Sequence, residues 1–301
     1  MDSSGETIMN THKFGENSTY ILSSKNNEKL LVRKWNASAK PKGIIIAIHG
    51  GMAHSGDWQL PAQFYSERGY ELHALDLPGH GTYPKINPGK KNLLDIESFD
   101  IYIDHVHALV NSAHNEAPQL PIFIFAHSMG GLIALLYGLG KGKEQHFIHG
   151  FGISSPWLKN KTKPPVPLFI VNLLARFFPT LPVPLKIDLG KLTHDRNVLE
   201  RHQADVESGL RGTMASPRFA KVSERAQHKL AAELSSWKDF PLAIAIAGAD
   251  HLADAEFTQT QVQGMQCPVV QYHCYQNNLH ENFNELNRQD VFQYLFDALN
   301  M

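Results

Sequence analysis

Residues 122–131 read IFIFAHSMGG, and LIALL follows at 132–136. A short β-branched and aromatic run of this kind suits a strand buried on both faces of a parallel sheet, and the apolar segment after it suits a helix packed back on that sheet. Ser128 then falls on the sharp turn between the two. This is the arrangement of a nucleophile elbow, which holds a serine hydroxyl above the end of the sheet. Ala126 and Gly130 are small enough to let the strand and helix backbones close around that turn. Ala126 stands where the common GxSxG pattern has glycine. The competing reading is an ordinary strand, turn and helix with an incidental serine.

A serine hydroxyl needs a base to take its proton and an acid to orient that base, in chain order Ser, Asp, His for this kind of turn. Residues 242–248, LAIAIAG, read as a second buried strand, and Asp250 lies just past its end, at the carboxyl edge where open α/β sheets keep their sites. Asp254 is the competing acid and suits the cap of a following helix better. Residues 269–275, VVQYHCY, read as the last strand. A loop then leads to His280, the expected base. The chain holds 17 histidines, so residue type alone selects none of them; position beyond a strand end selects His280, while His273 inside the strand reads as structural.

Residues 43–48, GIIIAI, form a third apolar run that enters His49–Gly50–Gly51. Such a turn can aim a backbone N–H at a reacting carbonyl. The residue after the nucleophile supplies a second donor at a helix N-terminus, so Gly51 and Met129 are the expected oxyanion donors.

With these turns in place the chain resembles the serine hydrolases of the α/β-hydrolase fold, and specifically the monoacylglycerol lipase and lysophospholipase family. Residues 76–81, DLPGHG, are similar to the family's turn after a strand, 248–250 (GAD) to its acid turn, and 279–285 (LHENFNE) to the segment around its histidine. Weaker similarity to the family's cap runs through 182–188, 192–195 and Asp205, so the resemblance spans roughly residues 25–300. It implies a Ser128–Asp250–His280 triad, monoacyl lipid esters as substrates, and no cofactor or metal. Several positions depart from the family pattern. Met52 replaces the last glycine of HGxG; Ala53 and Asp57 replace a glutamate and an arginine that recognise glycerol in the glyceride lipase; His202 and Asp205–Val206 replace a cap tyrosine and an Asp–Pro pair. Ala53 and Asp57 shift the expectation toward a lysophospholipid or a broad ester range.

Composition agrees. At 301 residues and 43% hydrophobic the chain can bury a large α/β core, and a net charge of −1 gives no reason to expect nucleic acid. Two cysteines, Cys267 and Cys274, make no disulfide framework and suit buried thiols in a reducing compartment. The first residues show no signal-peptide pattern and no segment is long and apolar enough to span a bilayer, so the expected location is cytoplasmic, peripheral to membrane at most.

Three parts are expected: a polar leader at 1–17, an α/β-hydrolase core at 18–154 and 239–301 with a mostly parallel sheet flanked by helices, and a strand-free helical cap at 155–238 marked by proline clusters. Within the cap, residues 168–178, LFIVNLLARFF, read as a helix apolar around most of its circumference, with Asn172 and Arg176 on a polar stripe. Such a helix either packs on the core or offers apolar surface to an acyl chain or a membrane, and Lys159, Lys161 and Lys163 could meet anionic headgroups there. The function expected from the sequence is hydrolysis of a monoacyl lipid ester. The alternatives are a broad carboxylesterase, an acyltransferase, or a catalytically silent lipid-binding relative.

Overall fold

In the runs that read as strands, alternate residues go to opposite faces of a sheet, and both faces are covered. Ile44, Ile46 and Ile48 join one core cluster while Ile45 and Ala47 join the other; Ile122, Ile124 and Ala126 divide from Phe123 and Phe125 in the same way. The computed structural model describes residues 13–23, 28–162, 166–185, 187–265, 267 and 269–301. Its main sheet contains β1 (Ser18–Ser23), β2 (Lys29–Trp35), β3 (Gly43–Ile48), β4 (Tyr70–Leu75), β5 (Ile122–His127) and β6 (Ile148–Ser154). It resumes after a long insertion with β9 (Leu242–Ala247) and β10 (Val270–Tyr275). The spatial order is β1-β2-β4-β3-β5-β6-β9-β10; β1–β2 and β2–β4 are antiparallel and every other pair is parallel.

Helices α1 (Gln59–Glu67), α2 (Tyr83–Ile86), α3 (Phe99–Glu116) and α4 (Met129–Leu139) follow successive strands, and α8 (Ala255–Gln263) and α9 (Arg288–Ala298) cover the last two. Start signals are visible in the sequence: Ser98 accepts from the Asp100 N–H at the head of α3, and Asp254 accepts from the Phe257 N–H at 3.1 Å at the head of α8. Asp254 is thus a cap, as expected. Among the described residues no helix is long and apolar enough to cross a membrane.

The insertion between β6 and β9 carries α5 (Leu168–Phe177), α6 (Arg196–Glu207) and α7 (Pro217–Glu233). It is not strand-free. Two-residue strands β7 (Val183–Pro184) and β8 (Met214–Ala215) pair antiparallel there, too short and too proline-rich to leave a periodic signal. Lys163, Pro164, Pro165 and Lys186, which the sequence reading used, lie outside the described residues, as do residues 1–12. Of the rest of the leader, Phe14 and Glu16 are buried at 3% and 2% exposure, and Glu16 is ion-paired to Arg33. The two cysteines are half-buried rather than buried, Cys274 because it lies on β10, an edge strand, and Cys267 in the turn before that strand.

Candidate active site

Four loops leave the carboxyl ends of the parallel strands β3, β5, β9 and β10 and meet above the sheet. From β5 comes Ser128, whose backbone takes φ 54° and ψ −117°, a conformation that costs an L-residue energy and persists only where its surroundings enforce it. The surroundings do so: the Ser128 N–H donates to Ser154 O at 3.0 Å, and its carbonyl accepts from Trp157 N at 3.0 Å. A Cβ on Gly130 would lie 2.2 Å from the Ile48 carbonyl, so α4 can approach β3 only with glycine there. Ala126 stays inside β5, paired to Ile48 and Ile153, and alanine therefore serves where the pattern has glycine.

From β9 comes Asp250 and from β10 comes His280. The imidazole Nδ1 is 2.7 Å from Asp250 Oδ2 and Nε2 is 2.8 Å from Ser128 Oγ. An ionised carboxylate can only accept, so Nδ1 carries the proton, and Nε2 is left to accept from the serine hydroxyl. Asp250 Oδ1 accepts two more bonds, from Leu252 N at 2.7 Å and Ala253 N at 3.0 Å. Burial would raise this carboxyl, but the His280 ring and those N–H donors outweigh it and hold it below the ordinary carboxylate range. For His280 burial opposes the charged ring, yet Asp250 and Glu281 prevail and raise it above the ordinary histidine value. His127, with its ring centroid 4.8 Å from that of His280, is pushed down to about 4 by burial and stays neutral near pH 7.

From β3 comes the turn beginning at His49. A Cβ on Gly50 would be 3.2 Å from Ser128 Cβ, and one on Gly51 would be 3.7 Å from Met129 Sδ, so the turn faces the elbow directly. Met52 sits at φ 62°, the left-handed region that a glycine takes without strain. His49 holds the turn: its Nδ1 donates to Gly50 O at 2.8 Å, its Nε2 accepts from Leu77 N at 3.0 Å, and burial lowers it to about 4. The structure thus brings Ser128, His280, Asp250, Gly51 and Met129 to one place. It leaves His273 exposed on the edge strand, away from them.

A narrow cavity between the His49 turn and the segment after His280 is lined by Gly50, Ala53, Asp57, His127, Glu281 and Phe283. Behind it is a buried charge network that the sequence reading did not find. Arg211 donates to Asp57 Oδ2 at 2.7 Å and to His202 Nδ1 at 2.8 Å, and Glu281 accepts from His202 Nε2 at 2.7 Å and from Asn284 Nδ2 at 2.8 Å. Burial alone would raise both carboxyls; Arg211 chiefly holds Asp57, and His202 chiefly holds Glu281, well below their ordinary values. His54, Asp57 and Asp205 also cluster, with ligand-type atoms within 4.8 Å. His54 Nδ1 accepts from Gly56 N at 3.1 Å, so Nε2 bears the proton it shares with Asp205 at 3.0 Å.

Comparison with known proteins gives the family. The sequence model of the hydrolase family described as "Serine aminopeptidase, S33" (Hydrolase_4) matches residues 39–287. The chain belongs to that S33 hydrolase family. It is an α/β-hydrolase-fold serine hydrolase. The S33 hydrolase is 28% identical over 263 residues to "Phospholipase YtpA" of Bacillus subtilis, covering 86% of this chain and 95% of that one. It is 26% identical over 255 residues to "Monoacylglycerol lipase" of Mycolicibacterium smegmatis, covering 83% and 85%. In fold it is similar to a soluble variant of monoglyceride lipase from Saccharomyces cerevisiae, with a TM-score of 0.76 at 22% identity over 90% of this chain and 92% of that one.

Proposed function

We propose that the protein hydrolyses the carboxylic ester of a monoacyl lipid, a monoglyceride or a lysophospholipid, through a covalent acyl-enzyme. Ser128 attacks the ester carbonyl while His280 takes its proton; His280 then gives that proton to the leaving alcohol, and later activates the water that releases the fatty acid. Asp250 keeps the ring in the required tautomer and stabilises the imidazolium. The N–H groups of Gly51 and Met129 receive the oxyanion, at about 3 kcal/mol per donor. The observation that carries this reading is the unbroken chain Ser128 Oγ, His280 Nε2, His280 Nδ1, Asp250 Oδ2 at 2.8 and 2.7 Å. The lipid part is supported by the names of relatives that match most of the chain, a phospholipase and a monoacylglycerol lipase.

In this reading the β6–β9 insertion is a cap, and its outer face meets a lipid surface. The ten exposed large apolar side chains among the described residues are Tyr272, Leu286 and eight in the insertion, Phe169, Leu173, Phe177 and Phe178 foremost. Residues 156–187 contain five basic side chains and no acidic one, so the surface that suits this face is anionic.

The test is turnover of a short p-nitrophenyl ester, a monoacylglycerol and a lysophosphatidylcholine under one condition, by wild type and Ser128→Ala. Serine-dependent hydrolysis with preference for one of the lipids is the expected result, and the preferred lipid names the head group. Turnover that survives in Ser128→Ala refutes the mechanism, and binding of these lipids without turnover refutes the hydrolase reading.

A further inference from the structure

Arg211, Asp57 and Glu281 belong to three different segments and meet behind the catalytic loops. Asp57 lies six residues past Gly51, in the 3-10 turn Ser55–Trp58 that continues the His49 turn. Glu281 directly follows His280, and its backbone N–H donates to Leu192 O in the insertion at 2.8 Å. Arg211 comes from the insertion, where its own N–H donates to Asp205 O at 2.9 Å, while the neighbouring Gly212 N–H donates to Met52 O at 3.0 Å. One guanidinium, 4% exposed, therefore touches the loop of the oxyanion turn through Asp57 at 2.7 Å and faces the loop of the histidine through Glu281 at 3.7 Å.

We infer that Arg211 is a positioning residue for the reaction, one that fixes the Gly51 turn and the His280 loop relative to each other and offsets the charge of Glu281 beside the catalytic histidine. The inference rests on the triad reading above. A guanidinium has no lone pair to offer, so His202 Nδ1 must accept from Arg211, which leaves His202 Nε2 to donate to Glu281. Arg211 thus holds Glu281 twice, by its own charge and through a histidine whose tautomer it dictates. Its planar fork lets Nη2 serve Asp57 and His202 together while Nη1 faces Glu281, which a single lysine ammonium cannot do.

The charged and titratable groups facing His280 are Asp250, Glu281 and His127, and of these Asp250 and Glu281 raise its pKa. In Arg211→Met the hydrogen bonds from His202 and Asn284 keep Glu281 ionised while its compensating charge is gone, so His280 titrates higher. Arg211→Lys keeps the charge and loses the fork. Rates on a soluble short ester separate the two effects. Both variants are expected to lose kcat by on the order of 10²-fold with KM little changed, as a misplaced catalytic group does. The acid limb of kcat/KM is expected to move to higher pH in Arg211→Met, to stay in place in Arg211→Lys, and to move to lower pH in Glu281→Gln.

Variants that melt earlier yet keep wild-type kcat and an unmoved limb would show a structural role only and overturn the inference. If Arg211→Met does not fold, unchanged kcat in Arg211→Lys together with an unmoved limb in Glu281→Gln overturns it equally. Ser128→Ala measured alongside tells which reading failed: turnover lost there with Arg211 inert removes the positioning role alone, and turnover retained there removes the triad.

Discussion

Ser128, the nucleophile of the proposed mechanism, is strained and hydrogen-bonded to His280 Nε2 at 2.8 Å, so in that role it serves chemistry at some expense to stability. Its removal is therefore expected to abolish hydrolysis, on the order of 10⁶-fold in kcat, with a melting temperature unchanged or raised. Asp250→Asn, which offers Nδ1 the wrong partner, is expected to lower kcat about 10⁴-fold. The direction of the His280 shift fixes a second outcome. The base must be neutral to accept the serine proton; a value raised above 6.5 leaves most of it protonated at that pH, so kcat/KM should climb with pH through a midpoint above 6.5. Asp250, held low, adds no second step in that range. A pH profile with its midpoint at or below 6.5 contradicts the environment described for His280. The candidates Ser128 and Asp250 were legible in the sequence because each stands just past a run of buried apolar residues, in β5 and β9, and His280 only by its place in the loop beyond the last strand, since β10 is itself half-polar and exposed. Arg211 was not, since its partner Asp57 is 154 positions away and no local pattern marks such a pair.

At the level of elements, the reading succeeded where one period dominates and failed where contacts are long-range. β3, β5 and β9 were legible as continuous apolar runs, and α4 by the glycines that let it approach β3. The segment at 13–16 reads as polar, yet Phe14 is wedged against the loop after the His49 turn. Its ring centroid lies 5.1 Å from that of His54, its carbonyl accepts from Trp35 Nε1 at 3.2 Å, and Lys13 reaches Asp205 at 3.2 Å. A single phenylalanine between a lysine and a glycine has no periodicity to announce it. Phe14→Ala should cost about 3–5 kcal/mol in urea unfolding, the range for truncating a buried phenylalanine. It should also lower kcat, because His54 and Gly56 lose the ring that supports their loop. Unchanged kcat in a destabilised but folded variant would show that the brace serves stability only.

For the whole molecule, the uneven distribution of apolar surface bears on how it meets substrate. Among the described residues of the core only Tyr272 and Leu286 are exposed large apolar side chains, whereas α5 buries none of its own: Phe169, Leu173 and Phe177 are 71%, 55% and 61% exposed, on the same side as Asn172 and Arg176. The sequence left open whether this helix packs on the core or offers its apolar surface outward, because two polar residues make too narrow a stripe to decide; packing on α7 leaves the side of that stripe, with its three apolar neighbours, facing outward. Three large apolar groups inserted in an interface contribute on the order of 1.5–3 kcal/mol each, and nearby cations about 1 kcal/mol each toward anionic lipid, enough together for reversible binding. Wild type is accordingly expected to float with vesicles containing phosphatidylglycerol and to do so less with phosphatidylcholine alone, and added salt should weaken the first. A Phe169→Ser, Phe177→Ser double variant should lose flotation while hydrolysing a soluble short ester at the wild-type rate. Flotation that is indifferent to both vesicle charge and these substitutions would mean that the face serves something other than lipid, and self-association lost in the same variant would assign it to a second copy of the chain.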